Sequence, residues 1–134
     1  MASPSQLSAI PLFESLTIAD LSELAPWFDV QIASEGVRLS GEGSSGYSFF
    51  ILTQGSAAVT TNEGAHADLG PGDFFGEMAL LDNEGRSATV KADTDVTLAT
   101  IPEWNFKPFL KEHPEVAYRL LQTLSRRIRQ AEAD

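Results

Sequence analysis

At 134 residues the chain has the size of one domain with a real core, and 43% hydrophobic with 21% charged residues is the balance of a globular protein in water. The formal net charge of −10, from 19 acids against 9 bases, opposes nucleic acid as a partner unless the bases gather on one face. With no cysteine, disulfides, thiolate catalysis and cysteine-ligated metals are excluded.

The start, Met1-Ala2-Ser3-Pro4-Ser5-Gln6, lacks the basic residues and apolar run of a signal peptide. No apolar run approaches bilayer length, so no membrane contact and a cytoplasmic location are expected. From Leu7 to Phe28 the pattern is helical in two pieces. Pro11 to Leu16 opens it, and Thr17 as N-cap with Asp20 as its N3 acid begins the second. Ile18, Leu21, Leu24 and Ala25 recur at three- and four-residue spacing and face inward, and Pro26 ends the helix.

Between about Val30 and Ile101 the apolar period falls toward two, with turn residues at short intervals: Ser34-Glu35-Gly36, Gly41 to Gly46, Gln54-Gly55, Asn62-Glu63-Gly64 and Gly70-Pro71-Gly72. Many short strands at such spacing predict an antiparallel sandwich or jelly-roll barrel. The glycine-rich Gly41 to Gly46 is read as a turn, because no Lys-Ser or Lys-Thr follows it as a phosphate-gripping loop would require. His66 and His113 are the only histidines, and neither stands at ligand spacing from a partner. Neither a catalytic cast nor a metal set is singled out.

The stretch from Leu69 to Val90 reads differently. Gly70-Pro71-Gly72 turns the backbone before Phe74 and Phe75, and Met78-Ala79-Leu80-Leu81, preceded by Gly76 and Glu77, can form one helical turn whose first N–H groups lack intrahelical partners. Gly85, Arg86 and Ser87 add a flexible backbone, a guanidinium and a hydroxyl, the donors a phosphate accepts. The Glu77 carboxylate would repel that phosphate, and it suits a sugar hydroxyl instead. Phosphate and sugar together describe a nucleotide.

Phe75-Gly76-Glu77-Met78-Ala79-Leu80-Leu81, a four-residue loop, then Arg86-Ser87-Ala88-Thr89-Val90 resembles the phosphate-binding cassette of the cyclic-nucleotide-binding domain family. The resemblance extends to the glycine, aromatic strand, glycine, strand pattern of Gly46 to Thr61 and covers nearly the whole chain. It implies that Glu77 takes the ribose 2′-OH and Arg86 the cyclic phosphate, with Gly76, Met78, Ala79, Ser87 and Ala88 completing the ligand site. Two departures stand out: Gly85 where many members have proline, and Tyr47 where an acid is common.

After Ile101 the helical period returns. Pro102 to Leu110 is expected as a short helix interrupted near Pro108, and Pro114 suits the first turn of a final helix from Glu115. Val116, Leu120, Leu124 and Ile128 form its apolar stripe. The resemblance implies that this helix covers the ligand, with Arg127, Ala131 and Glu132 over the pocket, and that it moves on binding.

The expected fold is thus mainly β with flanking α: an antiparallel jelly-roll barrel with N-terminal helices (1–28), a β-barrel (29–101) holding the phosphate-binding cassette (75–90) with its short helix, and C-terminal helices (102–134), forming one domain over 1–134. The expected function is non-enzymatic sensing of cyclic AMP, with cyclic GMP as the other candidate ligand and no cofactor. A homodimer through the C-terminal helix or an effector protein would receive the signal. The alternatives are a barrel of the same fold serving only as an interaction or oligomerisation module, and a metal-dependent cupin, which two isolated histidines disfavour.

Overall fold

The computed structural model describes residues 2–40, 48–61, 64, 66–77 and 88–133. Local capping sets the first elements. Helix α1 (Pro4–Leu7) begins at Ser3, whose hydroxyl accepts from the Gln6 N–H while the Gln6 side chain accepts from the Ser3 N–H. The helical segment therefore starts earlier than the apolar pattern at Leu7 indicates. Helix α2 (Ile18–Leu24) has the expected box, with Thr17 Oγ1 3.1 Å from the Asp20 N and Asp20 Oδ2 3.0 Å from the Thr17 N. Two 3-10 turns, Pro11–Phe13 and Ala25–Trp27, join these helices to each other and to the strands, so the chain keeps turning through Pro26 after α2 has ended at Leu24.

Among the described residues eight strands follow: β1 (Asp29–Ala33), β2 (Arg38–Ser40), β3 (Ser48–Gln54), β4 (Ala57–Thr61), β5 (His66–Leu69), β6 (Phe74–Phe75), β7 (Ala88–Ala92) and β8 (Val96–Pro102). They form two antiparallel four-stranded sheets, β1-β8-β3-β6 and β2-β7-β4-β5, the jelly-roll pattern opened into a sandwich. Strand β3 is apolar on both faces because it is covered on both. Phe49 and Ile51 join Phe74, Ala99 and Ile101 beneath the helices, whereas Phe50 and Leu52 join Phe75, Val90 and Leu98 between the sheets. Phe50 pairs with Phe75 and Ile51 with Phe74, so β6 is held against the middle of β3 by paired aromatic and aliphatic side chains.

Helix α3 (Glu103–Glu112) runs unbroken through Pro108, where the sequence predicts an interruption. The hydrogen bond that proline forfeits would have gone to the carbonyl of Trp104; both residues are exposed, so water can serve that carbonyl, while buried Phe106 and Phe109 hold the helix. Buried His113 ends α3, its ring packed against Trp27 and Phe109. Helix α4 (Pro114–Ala133) follows directly.

The apolar stripe of α4 departs from the expected one at its far end. Val116 and Leu120 are buried, but Ile128 is 59% exposed and Arg127 faces the sheets in its place. At about 100° per residue, steps of four walk the stripe around the helix, putting Ile128 roughly 120° from Val116 and Arg127 within roughly 20° of it. No helix among the described residues is long and apolar enough to cross a membrane.

Candidate functional site

The two-residue strand β6 delivers the site. Gly76 follows it with φ +92°, a left-handed conformation that a side-chain-bearing residue adopts only at a cost, and this turn brings Glu77 inward. Glu77 is 4% exposed, an unusual place for a carboxylate. Part of the reason is the guanidinium of Arg127, fifty positions further along the chain. Its Nη1 lies 3.1 Å from Glu77 Oε1, its Nη2 donates to the Phe74 carbonyl at 3.2 Å, and its Cζ stands 4.3 Å from the centroid of the Phe74 ring. One side chain thus makes a charge-assisted bond, a backbone bond and a cation–π contact.

The arrangement has a clear chemistry. A carboxylate buried this deeply carries a desolvation cost that the neighbouring cation offsets, and the pair sets an acceptor in an enclosed place. Such an acceptor recognises hydroxyls. Because the cation comes from α4, the position of that helix and the electrostatics of the acceptor are linked.

The structure brings Gly76, Glu77 and Arg127 together. Ala88 opens β7 half-buried and pairs in register with Thr61 of β4. Ala131 and Glu132 lie exposed in the last turns of α4. Met78, Ala79, Arg86 and Ser87, together with the expected cassette helix, fall outside the described residues. Phe74 is not among the residues expected from sequence. Its role as platform for Arg127 follows from its alternation with Phe75, which turns one ring toward the helices and the other between the sheets.

Comparison with known proteins places the chain in a family. The model of the cyclic nucleotide-binding domain matches residues 32–113, more than half of the chain. The chain belongs to that family. A cyclic nucleotide-gated potassium channel of Mesorhizobium japonicum is 37% identical over 111 residues, covering 83% of this chain and 31% of the channel. A cAMP-dependent protein kinase regulatory subunit of Colletotrichum orbiculare is 34% identical over 106 residues, covering 78% of this chain and 27% of that protein. Among solved structures, the Thermus thermophilus catabolite activator protein superposes with a TM-score of 0.81 at 30% identity, covering 92% of this chain and 60% of the other. The chain thus spans about a third or less of the length of the two curated relatives.

Proposed function

We propose that residues 1–134 act as one cyclic-nucleotide sensor domain that binds cyclic AMP without catalysis and couples occupancy to the docking of α4. The observation that carries this reading is the junction of Arg127 with Glu77 and Phe74, because it joins the acceptor assigned to the ligand's sugar to the mobile element assigned to the output. Glu77 accepts from the ribose 2′-OH and Arg86 meets the cyclic phosphate, with Gly76, Met78, Ala79, Ser87 and Ala88 around them. Calorimetric titration with cyclic AMP, cyclic GMP and AMP tests it. Saturable binding of cyclic AMP over AMP is the expected result, and no binding of any of the three overturns it.

The Glu77 assignment has its own consequence. A 2′-deoxy analogue removes the donor that the buried carboxylate would receive, and binding is expected to weaken by about 1–3 kcal/mol, roughly 5- to 150-fold. Equal affinity for the two nucleotides removes Glu77 from the sugar site.

Coupling follows from linkage. A ligand shifts α4 only by binding better when the helix is docked, and the Arg127–Glu77 contact supplies that difference. Arg127→Ala is expected to weaken cyclic AMP binding by about tenfold, a modest loss because this guanidinium remains 38% exposed and partly screened. It is also expected to abolish ligand-dependent protection of amides 115–133 in hydrogen exchange. Protection that ligand leaves unchanged in the parent places the switch elsewhere.

The outward side of α4 suits the receiving partner. Tyr118, Leu121 and Ile128 are 63%, 61% and 59% exposed, and with Ser125 between them they follow a three-four-three spacing that a second helix can match. Pairing with a second copy of the chain, or with an effector helix, would read the position of α4 directly.

A further inference from the structure

Among the described residues, Arg127 is one of two arginines that tie α4 to the rest of the chain. The other, Arg119, lies about two turns earlier, ~12 Å along the helix. Its Nη2 donates to Glu14 Oε1 at 2.6 Å, a short charge-assisted bond, while its Nε is buried with no hydrogen-bond partner among the described residues. An orphaned buried donor is a cost, and an ion pair with a carboxylate as exposed as Glu14, at 66%, returns little stability. The pair therefore does more for position than for stability.

Both ends of the bond are mounted on firm supports. Glu14 follows the 3-10 turn Pro11–Phe13, in which Leu12 and Phe13 are 5% and 1% exposed, and its own N–H donates to the Pro11 carbonyl. Pro11 in turn lies against Gly72, in the turn between β5 and β6 that leads toward Glu77; a Cβ on Gly72 would stand 2.8 Å from Pro11 Cδ. Arg119 sits between buried Val116 and Leu120. Beyond it, the Thr123 hydroxyl donates to the Arg119 carbonyl at 3.1 Å and Arg126 Nη2 donates to that hydroxyl at 3.3 Å, a side-chain pattern that bends helices slightly. Where the distal half of α4 points is thus referred back to where Arg119 is held.

We propose that Glu14 and Arg119 are a positioning pair: their bond fixes α4 against the N-terminal turn so that the Arg127 guanidinium reaches Glu77. On the reading given above, the pair thereby tunes nucleotide affinity without touching the ligand.

The test uses the full chain with Glu14→Arg, Glu14→Gln, Arg119→Glu and the Glu14→Arg/Arg119→Glu exchange, measured by hydrogen exchange without ligand and by titration with cyclic AMP. Glu14→Arg is expected to raise exchange in residues 123–133 and to weaken cyclic AMP binding by about fivefold, with Glu14→Gln milder. The double exchange is expected to restore both to within about twofold, with the melting temperature nearly constant throughout. Glu14→Arg behaving like the parent, or a double exchange no better than Arg119→Glu alone, overturns the proposal. Should Arg119→Glu fail to fold, the order parent, Glu14→Gln, Glu14→Arg still decides. If the parent binds no cyclic nucleotide, the sensor reading falls, while the ligand-free exchange measurements still decide whether the pair positions the helix.

Discussion

Arg86→Ala is expected to lower cyclic AMP affinity by about two to three orders of magnitude while the protein stays folded. The argument rests on charge. A cyclic phosphate keeps its negative charge at neutral pH, and the chain as a whole, at −10, repels it. Recognition therefore needs a full positive charge placed beside the phosphate, with donors that match two of its oxygens, as a guanidinium does. Removing that charge leaves the anion without its counter-ion, at a cost of about 3–4 kcal/mol. Gly85 and Ser87 on either side allow close backbone approach and offer a further donor, so Arg86, rather than the arginines of α4, is the residue assigned to the phosphate. Arg127 is already engaged by Glu77 and Phe74, which is why its removal is expected to cost far less. Calorimetry on the variant, with a thermal melt beside it, checks both halves of the statement. Binding within a few fold of the parent would remove Arg86 from the anion site, and a collapsed melt would make it a structural residue.

Legibility in the sequence tracks how local each interaction is. The box of Thr17 with Asp20 is visible because both partners lie within one turn and their residue types permit little else. The short apolar run Phe49 to Leu52, rich in aromatic and branched residues, suits a strand, although its burial on both faces becomes clear only once the helices are seen to cover one side. Pro108 misleads because the penalty of a proline depends on which carbonyl it deprives, and here that carbonyl belongs to exposed Trp104. Steps of four along α4 point to Ile128, whereas the true helical period points to Arg127. That difference matters for function, since it decides whether a methyl group or a guanidinium meets Glu77. Glu77 itself stands out from its place after Phe75-Gly76, but the resemblance sets Arg127 only over the pocket, and nothing in the spacing shows that α4 returns to the end of β6 to meet Glu77. The Glu14–Arg119 bond joins the two ends of the chain and leaves no local signature.

Gly55→Ala is expected to destabilise the fold by about 2–5 kcal/mol and to leave the cyclic AMP affinity of the folded protein unchanged. Gly55 stands between β3 and β4 with φ +89°, where an L side chain costs about 1–2 kcal/mol. A Cβ there would also lie 2.8 Å from Thr94 Oγ1 and 2.9 Å from Val96 Cγ1, and closer still to the Asp95 carbonyl oxygen. Relieving such crowding costs about 1–3 kcal/mol more. The neighbours cannot simply retreat. Thr94 Oγ1 accepts from the Ser56 N–H at 3.0 Å, the Asp93 N–H donates to the Ser56 carbonyl at 2.9 Å, and Asp95 Oδ1 accepts from the Glu35 N–H at 2.9 Å. The turn between β7 and β8 is thus locked onto the turn between β3 and β4, tying one sheet to the other. This lock sits far from the site along the strands. Phe75 pairs with Phe50 and β6 runs on toward the Ser48 end of β3, so Glu77 emerges at the end opposite Gly55. Chemical denaturation should show the loss as a lower midpoint with an unchanged slope, and titration at low temperature, where the variant is still folded, should return the parental affinity. Weakened binding in the folded variant would mean that the sheet-to-sheet lock is transmitted to the nucleotide site. A loss of stability below about 1 kcal/mol would mean that the turn yields more easily than its hydrogen bonds imply.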